Sequence, residues 1–374
     1  MNVPLAIPDI GEEEIDAVVA VLRRKWLTMG QETSAFEEEF ASFVGAPHAI
    51  AVSNCTTALH LALLAFDVGP GDEVLVPSLS FVATANAVRY CGGTPVFVDV
   101  ASKDDWNLSV EDAASKITPK TRGIVAVHYA GYPADVTALR SLCDERGLFF
   151  VEDAAQGIGA SRDGVSCGAA GDVACFSFYS TKNATTGEGG MVTALQDDVA
   201  AKIRSLRSHG MTASVLERDT GAKFGYDVVG LGYNYRIDEM RAALGRVQLR
   251  RVTGYNERRR ELTTRYREGL ADLGSLSLPF ANAAGTSCHH LMPTVLADGI
   301  DRNDVASAMR ERGVQTSVHY RPIHQMTAYE GALPTPVAPL TEAIAAQELT
   351  LPLYPTMSDE QHAYVMEMLH DVLG

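Results

Sequence analysis

The residues that point most directly to chemistry are an aspartate and a lysine 29 positions apart. Asp153 ends an apolar run, LFFVEDA, and Lys182 lies in a polar, glycine-rich segment, STKNATTGEGG. A lysine amine can form a Schiff base with an aldehyde, and a carboxylate can keep a pyridine nitrogen protonated so that the ring accepts electrons. Because pyridoxal phosphate (PLP) chemistry requires both groups, the pair predicts a PLP site.

Each member of this pair also has a plainer interpretation. A lysine in a polar loop is usually exposed, and an acid at a strand end often caps the next segment. Ser177 ends an apolar strand five residues before Lys182, and glycines follow the lysine. This context favours a fixed lysine, which a Schiff base requires together with a lowered amine pKa. Gln156 would then pack beside the ring or its 3′ oxygen.

A second group of polar residues could bind phosphate. The Ser53-Asn54 turn leads into a helix that opens at Thr56 and Thr57, and helix N-termini offer unpaired N–H groups to anions. Taken alone, the same pattern is only a helix cap. Phe81 follows a strand and could stack on a cofactor ring or pack in the core.

The segment HYRPIH brings together His319, Tyr320 and His324. Two histidines at this spacing could suggest a metal ligand pair, but Pro322 breaks the helix that would align them. We therefore predict no metal site at this segment.

The elements that must position these residues alternate between strands and helices from about residue 46 to 195. Near-continuous apolar strands of this kind predict a mainly parallel sheet that is covered on both faces, with ligands at the carboxyl ends of its strands. Asp153, Ser177 and Lys182 fall at or just after such ends, and His128 lies at another, so we expect it at the rim of the site. The strand candidates are 48–53, 73–77, 94–100, 123–129, 148–154, 173–179 and 189–195, and helices are predicted at 56–66, 83–91 and 136–147.

The second half of the chain predicts a smaller domain. A long helical run begins after about residue 236, and its basic residues between 241 and 267 indicate a solvated face or, alternatively, a patch that faces phosphate. The remainder mixes a strand at 290–298 with a helix at 302–313. We predict a large domain over residues 1–252 and a small domain over residues 253–374.

Composition narrows the functional classes. The formal net charge of −16 argues against a general nucleic-acid partner, which would need a basic surface, but allows a phosphorylated substrate. The six cysteines form no C-x-x-C pair, so neither a zinc site nor a disulfide framework is indicated, and a reducing cytoplasm is expected. No signal-peptide pattern and no apolar stretch of membrane-spanning length is found, so no membrane association is expected.

Several stretches, taken in order along the chain, resemble the DegT/StrS-type nucleotide-sugar aminotransferases, a branch of the fold-type I PLP enzymes. The resemblance covers nearly the whole chain. It implies a fold-type I aminotransferase-like α/β fold, with a large domain built on a mainly parallel mixed sheet flanked by helices and a smaller C-terminal α/β domain. The matching stretches are GDEVLVPSLSFVATANAV, PVFVDV, VHYAGYPADV, VEDAAQGIGA, FSFYSTKN, TTGEGGMV, RSHG, GYNYRIDEMRAALGRVQL and VHYRPIH.

The resemblance also implies roles for individual residues. Lys182 would carry the cofactor and then move the substrate proton, and Asp153 would pair with the pyridinium nitrogen. Asn234 would reach the phosphate of the neighbouring subunit's cofactor, which implies a homodimer with shared active sites. The other implied contacts are Gln156 with the cofactor, Thr56, Thr57 and Ser177 with its phosphate, Phe81 with its ring, and His319, Tyr320 and His324 with the sugar substrate. From its place at a strand end, and not from the resemblance, His128 is also expected to contact the substrate.

The implied reaction is an amino transfer in deoxyaminosugar biosynthesis. L-Glutamate would donate the amine, and a keto carbon of a nucleotide-linked sugar would receive it. The segments SLSFVATANAV and VHYAGYPADV resemble members that aminate carbon 4, so we predict a 4-keto-6-deoxyhexose linked to dTDP or UDP, with dTDP preferred. A related dehydratase branch carries histidine in place of the lysine, and Lys182 therefore favours transamination.

Some alternatives remain open at this point. A carbon-3 or cyclitol aminotransferase, a PLP-dependent sugar dehydratase, and a non-catalytic regulatory protein on the same fold would all be compatible with the scaffold. Cys55 stands where the family usually has a small residue before the phosphate-binding threonine, which affects only the detailed geometry of that contact.

Overall fold

The computed structural model describes residues 1–213, 221, 224–329 and 338–374. The strands of this part of the chain are β1 (His48–Val52), β2 (Glu73–Pro77), β3 (Thr94–Val98), β4 (Thr121–Val127), β5 (Phe149–Asp153), β6 (Ser161–Arg162), β7 (Val165–Ser166), β8 (Val173–Ser177), β9 (Gly190–Ala194), β10 (Leu276–Ser277), β11 (Met292–Leu296) and β12 (Glu348–Leu351). The helices are α1 (Glu12–Arg24), α2 (Gln31–Val44), α3 (Cys55–Ala65), α4 (Ala83–Tyr90), α5 (Val110–Ser115), α6 (Val136–Arg146), α7 (Asp197–Arg207), α8 (Glu239–Gly269), α9 (Arg302–Glu311), α10 (Pro339–Gln347) and α11 (Asp359–Leu373), with single 3-10 turns at Tyr129–Gly131, Ile323–Gln325 and Thr327–Tyr329.

A seven-stranded sheet forms the centre of the fold, in the order β1-β9-β8-β5-β4-β2-β3. Strand β9 runs antiparallel to β1 and β8, while the pairs from β8 across to β3 are parallel. The prediction of a mainly parallel mixed sheet flanked by helices is therefore confirmed. Because β4, β5 and β8 are parallel neighbours, their carboxyl ends meet at one edge of the sheet.

Helices cover both faces of this sheet and bury its apolar side chains. On one face, α3, α4 and α7 pack over a cluster that includes Ile50, Val76 and Val151. On the other face, a first cluster around Phe150 includes residues of α6, and a second around Phe176 includes residues of α2 and α8. Each such side chain contributes about 1.5–3 kcal/mol when fully buried, so the sheet is a stable support for loops at its edge.

A smaller antiparallel sheet, in the order β10-β11-β12, lies in the C-terminal part of the chain. The 31-residue helix α8 runs without interruption through residue 252. Its Val252 belongs to the cluster around Phe176, whereas its Leu262 and Tyr266 pack with β11 and β12. The two ends of α8 thus pack in different hydrophobic clusters. The domain boundary at residue 252 stays a prediction. Within the described residues, no helix is both long and apolar enough to cross a membrane.

Candidate active site

A cavity of about 600 Å³ opens at the carboxyl ends of β5 and β8. It has the size of a small-molecule site and lies where parallel sheets usually bind ligands. The structure brings eight of the predicted site residues together in its wall. These are Thr56, Phe81, Asp153, Gln156, Ser177, Lys182, His319 and Tyr320.

Lys182 lies in the loop after β8, where its amide donates to the carbonyl of Tyr179 at 2.9 Å. Its Nζ lies 3.3 Å from Nε2 of His290, a residue that the sequence did not single out. Burial lowers the pKa of Lys182, and the nearby Cys55 and Asp153 oppose this shift only in part. A lowered pKa increases the share of neutral amine, which is the form that attacks an aldehyde.

Asp153 ends β5 and is only 4% exposed. One carboxylate oxygen accepts a hydrogen bond from Thr84 Oγ1 at 2.7 Å, and the other accepts from the Ala155 amide at 3.2 Å. Burial raises the pKa of Asp153, and these hydrogen bonds and the Lys182 charge offset the effect incompletely. Among the described residues, no cation contacts the Asp153 carboxylate directly. A protonated pyridine nitrogen would supply the positive charge that this buried carboxylate lacks.

The start of α3 offers a place for a phosphate group. Asn54 Oδ1 accepts from the Thr57 amide at 2.9 Å, and the Thr57 hydroxyl donates to the Asn54 carbonyl at 2.8 Å. Thr57 therefore holds the helix end together and does not line the cavity, whereas Thr56 and Ser177 do. The amides of Cys55 and Thr56 have no hydrogen-bond partner within the described part of the chain, which leaves them available to an anion.

Gly190 brings β9 against the start of α3. A Cβ atom at this position would lie 2.6 Å from the carbonyl carbon of Asn54 and 2.8 Å from the Cys55 nitrogen. Only a residue without a side chain allows this approach. The close contact fixes the first turn of α3 relative to the sheet edge that carries Ser177.

Aromatic side chains complete another part of the wall. Phe81 is 57% exposed although its ring lines the cavity, and its centroid lies 6.1 Å from that of Tyr320. Gln156 Nε2 donates to the Tyr320 hydroxyl at 2.9 Å, while its Oε1 accepts from the Ala130 amide at 2.6 Å. Gln156 therefore orients Tyr320, and Phe81 offers an uncovered aromatic face to a planar ring.

Two histidines that were predicted to contact substrate lie outside the cavity wall. His128 is fully buried, with Nε2 2.9 Å from Glu152 and Nδ1 accepting from the Ala134 amide at 3.1 Å. His324 lies within hydrogen-bond distance of Ser78 at 2.5 Å and of Glu342 at 3.0 Å. Protein partners lie at both ring nitrogens of each residue, and the contacts of His128 and His324 with substrate stay predictions.

His319 does line the cavity, and it is held by a buried carboxyl group, that of Glu348, which the sequence did not reveal. Its amide donates to Glu348 Oε2 at 2.7 Å, and its Nδ1 lies 2.9 Å from the Thr350 hydroxyl, which in turn donates to Glu348. Burial raises the pKa of Glu348 to about 8 and lowers that of His319 to about 4. His319 therefore presents an uncharged ring to a ligand at neutral pH.

Asn234 is exposed and does not line the cavity of its own chain. It follows a stretch with unusually exposed apolar side chains, among them Val229 at 67% and Leu231 at 86%. Contiguous exposed apolar surface of this kind marks interaction sites. The placement leaves Asn234 available to a second molecule.

These features define the class of protein: a fold-type I PLP-dependent enzyme, with a buried lysine amine of lowered pKa, a buried carboxylate and a helix N-terminus at one edge of a mainly parallel sheet. Residues 8–370 match the model of the DegT/DnrJ/EryC1/StrS aminotransferase family, and the chain belongs to that family. It is therefore a PLP-dependent sugar aminotransferase.

Individual relatives are similar over almost their whole length. The spore coat polysaccharide biosynthesis protein SpsC of Bacillus subtilis is 37% identical, over 99% of this chain and 97% of the relative. The crystal structure of the aminotransferase TlmJ from Streptoalloteichus hindustanus superposes with a TM-score of 0.93 at 34% identity, over 100% of this chain and 99% of TlmJ. Spr1654 of Streptococcus pneumoniae, termed a sugar aminotransferase, has a PMP-form that superposes with a TM-score of 0.93 at 30% identity, over 99% of both chains, and also a PLP-form.

Proposed function

We propose that this enzyme transfers the amino group of L-glutamate to carbon 4 of a dTDP-linked 4-keto-6-deoxyhexose. The observation that carries the catalytic part is the amine of Lys182, lowered in pKa and held 3.3 Å from His290 in the cavity that also contains Asp153. When bound, PLP supplies an aldehyde that receives amino groups and a ring that withdraws electrons.

The residues of the chain would divide the remaining work. Lys182 would hold the cofactor through Nζ and, once free, would remove a proton from the donor carbon and return one to the acceptor carbon. Asp153 would keep the pyridine nitrogen protonated. Thr56 and Ser177 would bind the phosphate near the start of α3, and Phe81 would pack against the ring.

The assignment of the sugar depends on segments that resemble carbon-4 aminotransferases. Ser80, Phe81 and Ala83, from the segment SLSFVATANAV, line the cavity, and Thr84 from the same segment donates to Asp153. The segment therefore lines the cavity and also binds the carboxylate of Asp153. This placement supports its use as an indicator of substrate class.

The donor assignment supports a shared active site. Glutamate carries two carboxylates, which proteins usually bind with arginine or lysine. Lys182 is the sole arginine or lysine side chain in the described cavity wall. We propose that a second copy of the chain supplies the missing cations together with Asn234, so that the homodimer is the active unit. The six unpaired cysteines support a reducing cytoplasm as its location.

Product analysis tests the substrate assignment. The holoenzyme is first incubated with L-glutamate, and the conversion of its cofactor is monitored by absorbance. The enzyme is then offered, in separate reactions, a dTDP-linked 4-keto-6-deoxyhexose, its 3-keto isomer and the UDP-linked 4-keto analogue. We expect amination of the dTDP-linked 4-keto sugar, identified by mass spectrometry and NMR. Lys182→Ala should abolish this amination, and Lys202→Ala, at a half-exposed lysine paired with Asp67, is its matched control.

Other outcomes would contradict the proposal at defined points. A product aminated at carbon 3, or an aminated cyclitol, would reject the carbon-4 assignment. Loss of water without amination would indicate the dehydratase reaction. Preference for the UDP-linked sugar would reject the dTDP assignment, and no spectral change with glutamate would reject that donor.

A further inference from the structure

The hydrogen bonds behind Lys182 form a chain whose direction can be followed atom by atom. Asn183 Nδ2 lies 2.7 Å from Asn256 Oδ1 and 2.8 Å from the carbonyl oxygen of Cys288. Both of these atoms are acceptors, so the Asn183 amide must present its NH₂ group to them. Its Oδ1 is thereby directed at His290.

The next link fixes the tautomer of His290. Asn183 Oδ1 lies 2.9 Å from His290 Nδ1 and can only accept, so Nδ1 carries the proton. Nε2 then holds a lone pair, and it lies 3.3 Å from Lys182 Nζ. The orientation of Asn256 agrees with this direction, because its own Nδ2 donates to the carbonyl of Ile158 at 2.9 Å.

The charges around His290 keep its ring uncharged. Burial lowers the pKa of His290 well below its ordinary value, and the positive charges of Lys182 and Arg259 add to the effect, as does His319. Arg259 is itself buried and donates to the backbone carbonyl of His290 at 3.2 Å, so its charge is held beside the ring.

We propose that His290 is a positioning residue for Lys182: a neutral imidazole, locked in one tautomer by Asn183, that accepts one N–H of the lysine amine through Nε2. Engaging one N–H restricts rotation of the amine about its last carbon–nitrogen bond. The amine lone pair, which must reach the aldehyde and later the substrate proton, is then directed away from His290 and into the cavity.

This inference depends on the proposed role of Lys182, so its test includes measurements that do not need turnover. In the apoenzyme, the pKa of Lys182 is measured from the pH dependence of its modification by an amine reagent, with the site located by peptide mass spectrometry. His290→Phe keeps a flat ring but removes the acceptor, and His290→Gln restores an acceptor oxygen. Thermal unfolding of both variants checks that they are folded.

We expect the pKa of Lys182 to fall by about one unit in His290→Phe, because an acceptor stabilises the ammonium form more than the amine. His290→Gln should recover most of the shift. We also expect amino transfer to slow about 100-fold in His290→Phe and the primary isotope effect with Cα-deuterated amino donor to increase, since a misplaced amine transfers the proton more slowly. A pKa that rises would show that His290 is charged and repels the lysine, and an unchanged pKa would show that it makes no functional contact; either result overturns the proposal.

The tautomer has its own test. In holoenzyme labelled with ¹⁵N-histidine, the signal absent from His290→Phe identifies His290. Its Nδ1 should have the shift of a protonated nitrogen and its Nε2 that of an unprotonated one, without change from about pH 5 to about pH 9. A proton on Nε2, or titration within this range, would contradict the assignment. If Lys182 proved not to carry the cofactor while these results held, the hydrogen-bond chain would stand and the proposed role of the lysine would fail.

Discussion

Glu152 and Asp153 are neighbouring carboxylates with different surroundings, because successive residues of a strand point to opposite faces of the sheet. Asp153 lines the cavity, and burial raises its pKa. Burial would also raise the pKa of Glu152, but hydrogen bonds from His128 and from the amides of Gly168 and Gly171 lower it overall. The two acids therefore have different surroundings: Asp153 lines the cavity, and Glu152 accepts hydrogen bonds from groups that support the fold.

This difference gives a matched pair of substitutions. Asp153→Asn should reduce the rate of amino transfer about 100- to 1,000-fold with little loss of stability, since a preorganised charge is removed from the site. Glu152→Gln should instead lower the free energy of unfolding by about 1–3 kcal/mol, because buried donors lose their acceptor. Steady-state kinetics and denaturant unfolding distinguish the two. A wild-type rate in Asp153→Asn would show that Asp153 only caps the following segment and has no role in catalysis.

Glu348 should make the stability of the apoprotein depend on pH. Its folded pKa, about 8, lies above its ordinary value of 4.5, so the folded protein binds the extra proton between these values. The contribution of this group to stability is complete below about pH 4.5 and is lost as the pH rises to about 8, by roughly 3–5 kcal/mol in total. Glu348→Gln should remove this component from the pH profile of unfolding.

Glu311→Gln is the matched control, because Glu311 is exposed on α9 and its replacement should leave the pH profile unchanged. If Glu348→Gln had the same slope as the wild type between these pH values, Glu348 would not be the buried acid that the structure indicates.

At the scale of single residues, the sequence could locate Asp153, Ser177 and Lys182 because strand ends are visible as the ends of apolar runs. It could not locate Thr84, His290 or Glu348, whose partners are 69, 108 and 29 positions away. It also did not reveal the protein partners of His128 and His324, since a polar residue at a strand end can point to a buried partner as readily as to a ligand.

Among the elements, the predicted strands of the large sheet all exist, and β2 has the predicted bounds of 73–77. Continuous apolar runs between turn residues specify where a strand lies. They do not specify its neighbours or direction, so the insertion of the antiparallel β9 between β1 and β8 could not be read from its residues. That insertion matters for the site because it brings Gly190 against the start of α3.

A substitution at Gly190 tests the importance of this contact. Gly190→Ala should force α3 away from β9, lowering stability by about 1–3 kcal/mol and weakening PLP binding about tenfold as the phosphate-binding amides shift. Gly254→Ala is the control, because that glycine lies on the exposed side of α8 with open space around it. The control should be neutral or slightly stabilising. Unchanged PLP affinity in Gly190→Ala would separate the phosphate site from the start of α3.

At the scale of the whole molecule, the exposed Asn234 and the lack of a second cation in the described cavity wall both suggest that one chain does not complete the site. Hybrid dimers of Lys182→Ala and Asn234→Ala chains, purified through two different tags, test this directly. If Asn234 reaches across the interface, each hybrid contains one site with both residues intact, and activity is restored. If Asn234 acts within its own chain, no intact site forms and the hybrid remains as impaired as its parents.

The proposed reaction depends most on which amine of the protein carries the cofactor. Borohydride reduction of the holoenzyme fixes PLP to the lysine that holds it, and peptide mass spectrometry then identifies that lysine. The structure predicts a single modified peptide that contains Lys182, and no stable modification in Lys182→Ala. Stoichiometric modification of any other lysine, or an unmodified Lys182 in protein that retains PLP, would contradict the central claim.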